Sequence, residues 1–266
     1  MTRLAFPDYL DHIRTESARF RAVLTDCDPT ARVPACPDWD AGDLLWHLAE
    51  VQWFWSMMIG QRPAGPGADL VHPERPAGHD ALLATFDEYS AGLVSALEQA
   101  DPVEVAWSWA PEQTVGFSFR RQAHESLVHR LDAEQTAGQV TALDPTLAAD
   151  GVAEALDVMY GGEAPPWGRI EPGPHHVRLH LTDTGHTLWV QPCSFFGTDP
   201  DSGTNFDGPH LLLVDDPGSA PDATITGLAG DVDAWLWKRR DDSVVTVGGD
   251  PVAFAQLRAA ISPARD

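Results

Sequence analysis

The sequence predicts a helical N-terminal bundle followed by a smaller α+β domain. Apolar residues recur at helical spacing in four long segments before residue 140. After residue 164 the pattern changes to alternating runs broken by turn residues, with two short helical stretches at the end. The chain has 266 residues, 43% of them hydrophobic, which is comfortable for two cores.

In residues 8–24, Leu10, Ile13, Phe20 and Leu24 share a helix face. TDCDPTARVPACPDWD, with three prolines, is a loop. Asp40 is placed to cap a second helix that runs to about residue 59, with Leu44, Leu45, Leu48 and Val51 as its apolar stripe. A second long loop, QRPAGPGADLVHPERPAGH, leads to a helix over 79–100 that turns Leu82, Phe86, Leu93 and Leu97 inward. The fourth helix is expected over 119–138, stopped by Gly138. Four such helices make an up-down four-helix bundle. A short helix over 146–159 is grouped with it, so the first domain is set at 1–160.

The second domain is set at 164–266, and GGEAPPWGRIEPGP, residues 161–174, reads as a linker or exposed loop across its start. HHVRLHLTDTGHTLWVQP reads as a hairpin around Asp183–Gly185. DATITGL and SVVTVGG are strand candidates, GDVDAWLWKRR and DPVAFAQLRAAI helix candidates. Residues 192–221 carry no assignable pattern.

Acidic residues outnumber basic ones 40 to 17, for a net charge of −23. That field repels phosphate backbones and anionic lipids, so neither nucleic acid nor a membrane surface is an expected partner. No apolar run approaches the roughly 20 residues of a membrane span, and the N-terminus turns charged too early for a signal peptide. Cys27, Cys36 and Cys193 form no disulfide framework. The expectation is a cytoplasmic monomer or homodimer acting on small molecules.

The chemical signal lies in RRQAHESLVHRLDAEQTAG. Glu125 and His129 are four residues apart, about 40° apart around a helix and one turn along it, where one divalent cation can meet both. Asp132 continues that face as an acceptor for the second imidazole nitrogen. His124 lies five positions before His129, about 140° away, so the His-Glu-x-x-His arrangement of metalloproteases is not met. His47, at the edge of the second helix's apolar stripe, is the candidate third ligand. Two histidines and a carboxylate leave coordination positions open, as in catalytic zinc sites, and suit iron or nickel too. Against this, a Glu/His pair at this spacing is common on solvated helices, and a lone histidine on an apolar face is more often a core residue. The metal reading requires the second and fourth helices to be neighbours.

PACPDWDAGDLLWHLAEVQWFW and RRQAHESLVHRLDAEQTAG resemble the mycothiol-dependent maleylpyruvate isomerase family, whose N-terminal domain is a DinB-like bundle. The matching positions are Cys36, Pro37, Trp39, Asp43, Leu44, His47 and Leu48, then Glu125, His129, Arg130, Asp132, Ala133 and Glu134. The end of the chain, GDVDAWLWKRRDDSVVTVGGDPVAFAQLRAAI, is similar to the family's C-terminal domain, with Lys238–Arg239 where a Gly-Arg turn is usual. The resemblance implies zinc on His47, Glu125 and His129, and mycothiol as the thiol cosubstrate. It implies isomerisation or S-transfer on a small electrophile such as maleylpyruvate. Arg239 is then the candidate catalytic cation for an anionic acceptor; Arg120, Arg121 and Arg130 flank the motif, and for Arg130 an ion pair is the expectation.

Two other functions fit the same residues: a non-catalytic metal-binding or regulatory module, and a thiol-independent hydrolase or lyase using metal-bound water. Cys36 is expected to be a packed loop residue, and Trp53, Phe54 and Trp55 core or pocket wall. Trp235 and Trp237 are expected on opposite sides of a helix, one buried. His175, His176, His180 and His186 are expected at the hairpin surface.

Overall fold

The computed structural model describes residues 2–262. It separates into two compact units, residues 4–143 and residues 144–262 with 2–3.

The first unit is a four-helix bundle of α1 (Phe6–Thr25), α2 (Ala41–Gly60), α3 (His79–Glu98) and α4 (Val115–Ala137). Each start has a local cause. Pro7 sits in the first turn of α1. Asp40 and Asp43 form a reciprocal capping box at α2, each side chain accepting from the other's backbone N–H at 2.9–3.0 Å. Thr114 caps α4, and Gly138 ends it in the left-handed conformation at φ 68°.

Residue contacts give the helix directions. Phe6, Tyr9, Glu16 and Arg19 meet Phe119, His124, Arg130 and Glu134 in order, so α1 and α4 are parallel. Arg14 and Arg21 pair with Glu98 and Asp87, so α3 runs opposite to α1. His47 and Trp55 lie against Glu125 and Phe117, so α2 runs opposite to α4. The bundle is therefore up-down-down-up. The long connection over residues 61–78 has the reach to return along a helix before α3 begins. This arrangement makes α2 and α4 neighbours.

The second unit opens with α5 (Pro145–Glu154), which continues as a π-turn over Ala155–Met159. Residues 144–160 thus belong here rather than with the bundle, because the buried face of α5 packs on α6 (Ala229–Leu236). Gly151 permits that approach: a Cβ there would lie 2.8 Å from the Asp233 carboxylate. The remaining elements are β1 (Gly168–Pro172), β2 (Val177–Leu181), β3 (Thr187–Thr198), β4 (Asn205–Val214), β5 (Ala223–Gly227), β6 (Thr246–Gly249) and α7 (Pro251–Ala260).

The six strands form one sheet. β1 and β2 pair with successive halves of β3, β4 pairs along nearly all of β3, and β5 and β6 extend the sheet beyond β2. Only β2–β5 is parallel. Val177, Leu179 and Leu181 alternate into the core with Ile225 opposite Leu179, and α7 packs on the strands.

Four sequence expectations change here. Residues 192–221 contain the second half of β3 and all of β4, and the expected linker contains β1. The segment 242–244 is a 3-10 turn that precedes β6. Trp235 and Trp237 are both buried, because α6 ends at Leu236 and Trp237 has left its helical face.

Candidate metal centre

α4 is buried along residues 115–134, polar side chains included. A carboxylate or imidazole held there needs partners. One turn of this helix carries Glu125 and His129, and α2 brings His47 opposite. One ligand atom from each of the three residues falls within 4.8 Å of the others, and no other such group of three or more occurs among the described residues. Glu125 Oε1 lies 3.1 Å from His129 Nε2 and 3.5 Å from His47 Nε2. The imidazole centroids of His47 and His129 are 4.8 Å apart.

The outer atoms are fixed. His129 Nδ1 lies 3.0 Å from Asp132 Oδ2, and Asp132 is fully buried. Arg121, one turn before Glu125, donates to its Oε2 at 2.8 Å. One carboxylate oxygen is thereby tied to a guanidinium while the other faces both histidines. The Trp39 ring packs at a tilt of 42° against His47, with centroids 4.7 Å apart. The loop before α2 holds that indole through Val33 N–H to the Trp39 carbonyl and Trp39 N–H to the Cys36 carbonyl, with Cys36 in the core.

Burial opposes ionisation of Glu125, but the hydrogen bond and charge of His129, then His47 and Arg121, outweigh it. The carboxyl lies well below the usual carboxylate range. Burial alone would lower the pKa of His129; Asp132 and Glu125 push it up to about 9. In the metal-free protein a proton thus sits where the carboxylates ask for a cation. Nε2 of His47 is buried without a hydrogen-bond partner among the described residues, although its side chain remains 25% exposed. A buried imidazole nitrogen 3.5 Å from a carboxylate oxygen, with a second imidazole nitrogen at hand, fits a divalent ion.

The other residues singled out from the sequence divide clearly. Arg130 is buried and bonds Glu16 at 2.6 Å and Glu134 at 3.1 Å, an ion-pair hub within the bundle. Arg120 is buried in α4. His124 turns its ring edge to Tyr9, away from the cluster. Arg239 belongs to the second unit, where it is buried and donates to the Trp237 carbonyl at 2.7 Å. His175, His176, His180 and His186 are half-buried; His180 lies in the β2 ladder, and the His176 N–H donates to Asp222. Sequence reasoning missed what Arg121 and Trp39 do. The Arg121–Glu125 spacing of four residues was the available signal for the first.

Two family models match this chain. The model of the mycothiol maleylpyruvate isomerase N-terminal domain covers residues 10–134, and that of the MDMPI C-terminal domain covers residues 146–256. Crystal structures of the mycothiol-dependent maleylpyruvate isomerase and of a histidine-to-alanine mutant of it share the fold, with TM-scores of 0.58 and 0.59 at 13% identity over 92% of this chain and 93% of theirs. No curated protein matches the sequence.

Proposed function

The chain belongs to the mycothiol maleylpyruvate isomerase family, and on that premise we propose a zinc-dependent enzyme that uses mycothiol to isomerise a small electrophile such as maleylpyruvate. The observation that carries the proposal is the convergence of one ligand atom each from His47, Glu125 and His129 within 4.8 Å of one another. Bound there, zinc supplies a lowered thiol pKa, so that the cosubstrate is held as its thiolate at neutral pH.

The protein's own part is placement. Asp132 holds Nδ1 of His129, which leaves Nε2 turned toward Glu125. Arg121 holds Glu125 Oε2 and so directs Oε1 to the histidines. Addition of the thiolate to a cis double bond conjugated to a carbonyl, rotation about the new single bond and elimination of the thiolate give the trans isomer. An acceptor with a leaving group would give S-transfer at the same site. Arg239 is proposed as the cation that meets an acceptor carboxylate.

Elemental analysis and a coupled assay test the proposal. The expected result is about one zinc per chain and isomerisation that requires mycothiol. His129→Ala should lose both metal and activity. Full metal loading in a variant with alanine at all three positions would overturn the site. Turnover in thiol-free buffer would assign a hydrolase or lyase, and a metal-loaded protein that binds no mycothiol would be a non-catalytic module.

A further inference from the structure

We infer that residues 66–77 form a lid beside the approach to the His47–Glu125–His129 cluster, latched to α2 by side chains alone; the inference rests on the function proposed above in taking that cluster as the site. The cluster meets solvent through His47, whose side chain is 25% exposed against 11% for Glu125 and 1% for His129. The way in therefore runs along the face of α2 that carries His47. At 100° per residue, Asp43, His47, Glu50 and Phe54 share that face within about 60° of arc.

The connection from α2 to α3 returns along the same face. His72 Nδ1 lies 2.9 Å from Glu50 Oε1. The His72 ring is nearly parallel to that of Phe54, at 14° and 6.4 Å, and tilted against Trp53 at 5.4 Å. Arg75 pairs with Asp43. The two ion pairs thus grip α2 one turn to either side of His47. Asp43 and Glu50 are about 10.5 Å apart along the helix axis. An extended run from His72 to Arg75, favoured by Pro73 and Pro76, covers about 10 Å. Pro73 and Glu74 therefore stand level with His47.

The backbone does nothing to fasten this segment. From Pro66 to Ala77 one backbone hydrogen bond forms among the described residues, Leu70 N–H to the Gly67 carbonyl, inside the segment itself. No helix or strand occurs there, and Val71 is 83% exposed. A segment with few buried contacts and a solvated backbone opens at low cost, independently of the bundle. Its two ends differ. Gly65 is fixed: its carbonyl accepts from the Gln61 amide at 2.9 Å, and a Cβ on it would lie 2.5 Å from the Trp107 ring. Gly78, at φ 89° just before α3, has no atom within 4 Å of its Cβ position and can absorb a swing. Release of both ion pairs lets the segment leave α2 and widens the passage to His47; re-forming them narrows the passage and sheds water from it.

Carbethoxylation of histidines by diethyl pyrocarbonate, read peptide by peptide in a mass spectrometer on the metal-free full chain, tests the lid without any metal. The variant combines His72→Ala with Arg75→Gln, both on the lid, so that α2 and its cap stay intact. His47 should react about 5–50-fold faster in it, the combined reach of two exposed ion pairs and the ring contacts of His72. High salt should speed the reaction in the unsubstituted protein and have little effect in the variant. His124, buried against Tyr9, is the internal standard and should keep its rate. On the zinc-loaded chain the same variant should lose metal to a chelator faster. An unchanged His47 rate with His124 still protected would overturn the lid. An equal rise at His124 would mean lost fold, and Arg75→Gln alone then decides: a gain of about 2–5-fold at His47 upholds the lid and none overturns it. A faster His47 in a protein that takes up no zinc would uphold the lid and refute the metal centre.

Discussion

Arg121 holds the outer oxygen of Glu125 at 2.8 Å, four residues earlier on the same helix, and both side chains are almost completely enclosed. The carboxylate therefore cannot turn to offer both oxygens to one ion without losing a charged partner. In the proposed zinc site Arg121 acts on a bound metal through Glu125. Partners of this kind typically change metal affinity by about 10–100-fold. Arg121→Gln should lower zinc affinity by about that factor in a chelator competition, with Asp132→Asn giving a similar loss through His129. Unchanged affinity in both variants would show that the ligands are held by packing alone.

Glu134 anchors the far end of the same helix and gives the fold a pH dependence. It accepts from Arg19 at 2.7 Å, from Arg130 at 3.1 Å and from the backbone and hydroxyl of Thr141. Burial pushes its pKa up, but these bonds pull it net below its ordinary 4.5. A depressed carboxylate contributes stability that is complete above the unfolded value and lost as pH falls through the folded one. The bundle should therefore weaken below about pH 4.5. Glu134→Gln should be less stable at pH 7 and show a flatter acid limb in denaturant titrations. Glu134→Ala, which leaves Arg130 with Glu16 as its remaining charged partner, should cost about 1.5–3 kcal/mol. An acid limb identical in the wild type and Glu134→Gln would refute the linkage.

Arg239 stands in the second unit with its guanidinium on the Trp237 carbonyl. If it serves an acceptor carboxylate, its loss removes a charge-assisted contact worth about 1.5–3 kcal/mol. Arg239→Ala should then lower kcat/KM for an anionic electrophile by about 10–100-fold, with zinc content and thiol affinity unchanged. An equal loss toward an uncharged electrophile would make Arg239 structural.

The candidate ligand cluster could be read before any coordinates because helix arithmetic places Glu125 and His129 one turn apart, and a histidine on the apolar edge of α2 asks for a partner. The neighbouring of α2 and α4 could not, since it depends on a long connection returning along the bundle. β4 was obscured by Asp207-Gly208-Pro209, which reads as a turn. Pro209 nevertheless sits in the ladder, opposite Ser194 of β3, the strand with which β4 pairs among the described residues. The Leu143-Asp144-Pro145 junction marked a helix start, but not which core that helix would join.

The departure from the Gly-Arg turn, by contrast, has a structural answer. Lys238 is the one non-glycine residue with positive φ among the described residues, at 62°. It occupies the left-handed position at the end of α6 where glycine is favoured, and the Arg239 N–H returns to the Ala234 carbonyl at 2.8 Å. A side chain in this conformation costs about 1–2 kcal/mol. The ammonium lies 5.7 Å from the Tyr160 ring and 6.0 Å from the Trp235 ring, contacts that offset part of that cost. Two substitutions separate the effects. Lys238→Ala loses the ring contacts and keeps the backbone penalty, whereas Lys238→Gly loses both. The glycine variant should be about 1 kcal/mol more stable than the alanine variant in urea titrations. Equal stabilities would mean that the turn relaxes away from the left-handed conformation once the lysine is removed.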